Sequence, residues 1–272
     1  MSDTAIEPRP IPPVDLAAER AQLGPALGEA ISRVLESGAY VLGPEVSKFE
    51  QDFAAFQHAR FGVGVASGTD ALILALRALG VKPGDGVLTS PFTFFASAGS
   101  IAWNGARPQL CDVEPDTGLL DLEAAQAAVD GATQCILPVH LYGQLADLRG
   151  FRALADKRGL TLLEDAAQAH GAERDGLRAG EIGDAAAFSF YPTKNLGAAG
   201  EGGAILCNSD EVHERLLRLR DHGSEAKYVH TEIGTNSRLQ AMQAAVLNLK
   251  LPHLEDWNAR RRAVAARYDD AF

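Results

Sequence analysis

Seven short apolar runs mark the middle of the chain, at 61–66, 87–89, 107–111, 134–139, 160–163, 185–190 and 203–207. Most are separated by stretches whose apolar residues recur every three or four positions: Asp70 to Leu79, Leu122 to Val129 and Leu148 to Lys157. Apolar runs this short, bounded by turn residues, read as strands buried on both faces. Strands alternating with helices predict βαβ units, hence an α/β fold with a mostly parallel seven-stranded sheet covered by helices on both faces. Further helical patterns run from about Ala17 to Glu36 and from about Glu45 to Gln57, joined by a Gly/Pro-bounded link from Gly38 to Pro44. Two more cover Glu211 to Arg220 and Leu239 to Leu249.

Three units follow from this pattern. Residues 1–13, with Pro8, Pro10, Pro12 and Pro13, form an irregular lead-in, and 14–250 form a large domain that includes the N-terminal helical segment. The charged helical pattern at 251–272 is expected to begin a truncated C-terminal small domain.

Composition narrows the function classes. A net charge of −11 argues against nonspecific binding to nucleic acid or to an anionic membrane. The basic run Arg260-Arg261-Arg262 lies in a helical stretch near Glu255 and Asp256, which makes it a solvated helix face. No apolar run reaches membrane-spanning length, and the N-terminus lacks a basic, apolar leader pattern. Cys111, Cys135 and Cys207 are scattered and odd in number, which argues against a disulfide framework. Together these features predict a cytoplasmic enzyme or binding protein.

The chemistry enters at Lys194, at the end of Phe188-Ser189-Phe190-Tyr191-Pro192-Thr193-Lys194. Upstream, Glu164-Asp165-Ala166-Ala167-Gln168-Ala169-His170 follows another apolar run, so Asp165 and Lys194 can face one cavity across neighbouring strands. A buried lysine opposite a carboxylate is what pyridoxal phosphate (PLP) requires: the lysine for a Schiff base, the carboxylate to keep the pyridine nitrogen protonated. Ala66-Ser67-Gly68-Thr69-Asp70 places a Gly-containing turn between a strand and a helix starting on Asp70, which suits a phosphate; Ser189 offers a further hydroxyl. Phe94, in Pro91-Phe92-Thr93-Phe94-Phe95, is the candidate ring partner. These residues fall just beyond strands, where ligands of open α/β sheets bind.

Plainer readings exist for each feature. Ser-Gly-Thr before a helix also serves as a simple N-cap, and any one Phe can be core packing. His140 and His170 can line the cavity or be structural. The acidic stretch Asp112 to Glu123 imitates a calcium loop, but Thr117 stands where that loop needs Gly, and the histidines show no ligand spacing; no metal is predicted. A Rossmann-type NAD(P) oxidoreductase is the rival enzyme class, prompted by Gly62-Val63-Gly64-Val65-Ala66-Ser67-Gly68. The third glycine falls one position late for that fingerprint, and the acidic residue expected beyond a second strand is missing.

Four motifs, Ala66-Ser67-Gly68-Thr69-Asp70-Ala71-Leu72, Pro138-Val139-His140-Leu141-Tyr142-Gly143-Gln144, Glu164-Asp165-Ala166-Ala167-Gln168 and Tyr191-Pro192-Thr193-Lys194-Asn195-Leu196-Gly197, resemble the signatures of the DegT/StrS group. These are PLP-dependent nucleotide-sugar aminotransferases of fold type I. The resemblance implies that Lys194 is the Schiff-base lysine, Asp165 the partner of the pyridine nitrogen and Gln168 the neighbour of the ring hydroxyl. It implies phosphate contacts for Gly68, Thr69 and Ser189, and the stacking position for Phe94. Asn236, in Gly234-Thr235-Asn236-Ser237-Arg238, matches an asparagine that reaches the neighbouring subunit's phosphate, which implies a homodimer with shared active sites. The implied reaction moves an amino group from an amino acid, L-glutamate by expectation, to a nucleotide-linked keto sugar. The wording around Gln144 and Thr193 to Gly197 leans to a 3-keto sugar. The alternative is a PLP-binding but inactive or regulatory fragment.

Overall fold

The computed structural model describes Pro12 and residues 14–272, so the lead-in apart from Pro12 lies outside the described residues. Three helices come first: α1 (Leu16–Leu23), α2 (Ala26–Ser37) and α3 (Pro44–Phe56). The single helix expected over Ala17 to Glu36 is therefore two. Gly24 adopts a φ of 59° and Pro25 follows, and proline cannot donate the backbone hydrogen bond that would carry α1 onward. Pro44 opens α3 at a position where the missing N–H costs nothing.

The sheet strands are β1 (Phe61–Val65), β2 (Gly86–Thr89), β3 (Arg107–Leu110), β4 (Thr133–Leu137), β5 (Thr161–Asp165), β6 (Ala185–Ser189) and β7 (Gly203–Cys207), each within one of the seven predicted runs or extending past it by no more than two residues. Their order is β1-β7-β6-β5-β4-β2-β3. Neighbours are parallel from β6 through β3, whereas β7 is antiparallel to both β6 and β1. Only β7 runs backwards, so the other six strands end on one rim. The reversal follows from its connection: no helix lies between Ser189 and Gly203 to carry the chain back.

Helices α4 (Gly68–Ala78), α5 (Phe95–Trp103), α6 (Leu122–Ala128), α7 (Leu148–Arg158), α8 (Asp210–Arg220), α9 (Ala241–Lys250) and α10 (Leu254–Ala271) complete the chain. Side chains of Ser67, Asp121, Asp147 and Ser209 cap α4, α6, α7 and α8, each accepting a backbone N–H three residues on. One face of the sheet packs Phe188 and Phe190 against Phe49 and Phe53 of α3 and Leu247 of α9. The Phe53–Phe188 and Phe49–Phe190 rings meet edge-on at centroid distances of 5.0 and 5.1 Å, a geometry aromatic quadrupoles favour. The opposite face packs Val63, Val65 and Ile205 against Leu72 and Leu76 of α4 and Leu216 of α8. A third cluster joins Leu88, Ile136 and Leu162 to Phe151 and Leu154 of α7. Both faces are thus covered, which is why the strands read as unbroken apolar runs.

Helix α5 has no counterpart in the hydrophobic pattern. Its buried residues are Ser97, Ser100 and Ile101, while Phe95 and Trp103 are exposed, so polarity is inverted relative to an ordinary amphipathic helix. That inversion puts a buried serine beside the site.

Candidate active site

A cavity of about 570 Å³ opens at the rim where the six co-directional strands end. Gly68, Thr69, Phe94, Asp165, Gln168, Ser189 and Lys194 all line it. Of the eight residues assigned to the cofactor from the sequence, only Asn236 is absent from this wall, and it is exposed; of the two histidines, His140 lines the cavity and the buried His170 does not.

Asp165 ends β5 and is 5% exposed. Its backbone N–H donates to Pro138 O and its C=O accepts from His140 N, at 2.9 and 3.0 Å, which zips β5 to the segment after β4. The carboxylate accepts from Ser97 Oγ at 2.7 Å and from Ala167 N at 3.2 Å. Burial pushes this carboxyl above the usual carboxylate range, opposed by the Ser97 and Ala167 bonds and by nearby Lys194. Lys194 is half-buried; burial lowers its ammonium pKa, and Asp165 works in the opposite direction. The amine is therefore closer to its free, nucleophilic form than an exposed lysine would be.

A second buried layer supports Asp165. Glu164 is fully buried and accepts from Gly180 N at 2.8 Å and Gly183 N at 2.9 Å, and it pairs with His140 Nε2 at 2.9 Å. His140 Nδ1 accepts from Ala146 N at 3.2 Å, so that nitrogen carries no proton and Nε2–H donates to Glu164. The turn bearing Lys194 is gripped from behind. Lys250 of α9 donates to Gly197 O at 2.6 Å, and Asn195 bonds both His170 O and Asn258 of α10, at 2.8 and 3.2 Å.

At the other end of the cavity β1 runs into α4 through Ser67. Helix α4 starts at Gly68, two residues before the expected Asp70, because Ser67 Oγ accepts from Asp70 N at 3.1 Å and is the cap. The plain N-cap reading is thus correct for Ser67, and it leaves the Gly68 and Thr69 N–H groups at a helix N-terminus facing the cavity. A Cβ on Gly68 would lie 2.5 Å from Ser189 Cβ, so only glycine lets the turn sit against Ser189. Ser237 is fully buried; it donates to Asp70 Oδ2 at 2.7 Å and accepts from Ala66 N at 3.1 Å, fixing the segment that displays Asn236.

The rim is open. Phe94 is 74% exposed and Tyr142 81% exposed. Gln168 Oε1 accepts from Tyr142 N at 2.7 Å, holding a turn in which Tyr142 adopts a φ of 55°. Sequence reasoning missed Ser97, which lies in none of the four motifs, and the pairing of His140 with Glu164, which joins two separate motifs. The inverted face of α5 was the one available signal for Ser97.

The donor set fits PLP: a buried carboxylate and a lysine amine share a cavity with a helix N-terminus, a Gly-shaped approach to Ser189 and an exposed phenyl ring. Fold and site together define a PLP-dependent aminotransferase of fold type I. Residues 22–272 match the model of the DegT/DnrJ/EryC1/StrS aminotransferase family, and the chain belongs to that family. The dTDP-3-amino-3,4,6-trideoxy-alpha-D-glucose transaminase of Streptomyces venezuelae is 49% identical over 268 residues, covering 98% of this chain and 70% of that protein. A pleiotropic regulatory protein of Geobacillus stearothermophilus is 48% identical over 258 residues, covering 95% and 69%. The crystal structure of S. venezuelae DesV in complex with a ketimine intermediate superposes with a TM-score of 0.93 at 49% identity, over 95% of this chain and 70% of that one.

Proposed function

We propose that this chain transfers an amino group from an amino acid, L-glutamate first among candidates, to a nucleotide-linked keto sugar, with the 3-keto position preferred. The observation that carries the reading is the shared cavity of Lys194 and Asp165 at the strand rim. The 3-amino product in the name of the Streptomyces relative supports the position. Residues 14–250 act as the cofactor-binding domain. Three buried free cysteines, Cys111, Cys135 and Cys207, suit a reducing cytoplasm.

PLP, when bound, supplies an electron sink that stabilises the carbanion formed when the donor loses its α-proton. Lys194 would hold the cofactor, and its free Nζ would take the donor's α-proton and return it as general base and acid. A burial-lowered ammonium pKa suits that exchange. Asp165 holds the ring N–H through its carboxylate, oriented by Ser97 and Ala167. Gly68, Thr69 and Ser189 bind the phosphate, with Phe94 against the ring and Gln168 beside its hydroxyl. Asn236 serves the neighbouring subunit's phosphate in a homodimer; its exposure outside its own cavity supports that use.

The test is an absorption spectrum with PLP, wild type against Lys194→Ala, before and after L-glutamate. A visible band present in the wild type, absent in the variant and bleached by glutamate is expected. A band that ignores glutamate would leave a PLP-binding protein without transamination, and no band would overturn the cofactor assignment.

A further inference from the structure

We propose that Ser97, backed by Thr93, is a positioning residue that keeps Asp165 ionised, as the inner link of a hydroxyl relay running from the cavity wall to the carboxylate. The inference rests on the PLP reading above and adds residues that the family motifs do not contain.

The geometry is a chain of three groups. Thr93 lines the cavity, its Oγ1 lies 2.8 Å from Ser97 Oγ, and Ser97 Oγ lies 2.7 Å from Asp165 Oδ2. Ser97 is 0% exposed, so bulk water is not a ready replacement donor. A hydroxyl has a single proton, and an ionised carboxylate only accepts. With Asp165 charged, Ser97 must therefore donate to Asp165 and accept from Thr93. With Asp165 protonated, the carboxyl can donate to Ser97 and Ser97 to Thr93, so the chain can run the other way. The direction of the relay thus follows the charge of Asp165.

Two further features favour the charged form. Ser97 sits in the first turn of α5, where the helix N-terminus favours negative charge. Lys194, from the turn after β6, faces the carboxylate. His140, from the segment after β4, lies beside it, but its Nε2–H is turned to Glu164 and its Nδ1 to the Ala146 N–H, so neither ring nitrogen is offered to Asp165. Burial opposes all of this, and the Ser97 bond is the foremost of the interactions countering it. Thr93 also precedes Phe94, so one segment would set both the ring partner and the charge offered to the ring nitrogen.

PLP affinity measured against pH on the full chain tests the relay. Asp165 must be a carboxylate to hold a protonated ring nitrogen, so affinity falls as pH drops through its pKa. In Ser97→Ala that acid limb is expected to move to higher pH, with a loss of about tenfold on the acid side and little change at the alkaline end. Ser97→Thr should restore the wild-type limb. Thr93→Val, which removes only the outer donor and guards against a misfolded Ser97→Ala, should shift it the same way by less. Equal weakening at every pH, or an unmoved limb in both Ser97→Ala and Thr93→Val, would overturn the relay. A wild-type chain that binds no PLP at any pH would instead overturn the cofactor reading, and the relay with it.

Discussion

The floor and the rim of the cavity are built on opposite terms. On the floor, Asp165, Glu164, His140 and Ser97 are buried, and hydrogen bonds connect them across β5, α5, the segment after β4 and the segment before β6. On the rim, Phe94, Tyr142 and Tyr191 are exposed. A buried polar group must find its partners when the chain folds, because leaving it unpaired costs about 1–3 kcal/mol. Exposed groups carry no such cost and can wait for a ligand. The chain thus preorganises the chemistry at the floor and leaves recognition to surfaces that cofactor and substrate complete.

The sharpest way to test that division is Lys194→Ala, which removes the amine that bridges floor and rim. Transamination should fall by about 10²- to 10⁴-fold in a steady-state assay, with circular dichroism unchanged. Next in size is Glu164→Ala, which strands the N–H groups of Gly180, Gly183 and His140 together. Urea unfolding should show a loss of about 3–5 kcal/mol; a loss below about 1 kcal/mol would mean that the floor is not held by this network.

His170 supplies a pH test of the same buried layer. It is 1% exposed, and burial depresses its pKa from 6.5 to about 4. Between those values the unfolded chain binds the proton and the folded chain does not, so stability should fall as pH drops from 6.5 toward 4. Full loss of this contribution is worth up to about 3 kcal/mol, and His170→Gln should flatten the slope in denaturant titrations at pH 7 and 5. The smallest effect belongs to the rim. Phe94→Ala should change unfolding free energy by no more than about 0.5 kcal/mol yet weaken PLP binding about fivefold, read by fluorescence titration. A large stability loss there would erase the distinction between floor and rim.

Seven strands and most helices were legible because both faces of the sheet are covered, which turns each strand into a bounded apolar run. The two failures have definite causes. The break at Gly24-Pro25 lay inside a periodic pattern that continues on either side of it. Helix α5 hides its serines and shows Phe95 and Trp103, so its periodicity points the wrong way. Site residues carried by contiguous motifs, Asp165, Lys194 and the Ser67-to-Thr69 turn, were legible for a related reason: strand ends and turns force particular residue types next to one another.

The sequence by itself determined the order of the seven strands and most helices, the family and the residues proposed to hold PLP, since these rest on local pattern and on motifs a few residues long. Only the tertiary structure decided which strand runs backwards, that Ser97 reaches Asp165 across 68 positions, and that Asn236 stays outside the cavity lined by the other residues proposed for the cofactor. Such pairings depend on how separate elements pack. A hydroxyl reaching a carboxylate so far along the chain leaves no trace in the spacing of either one.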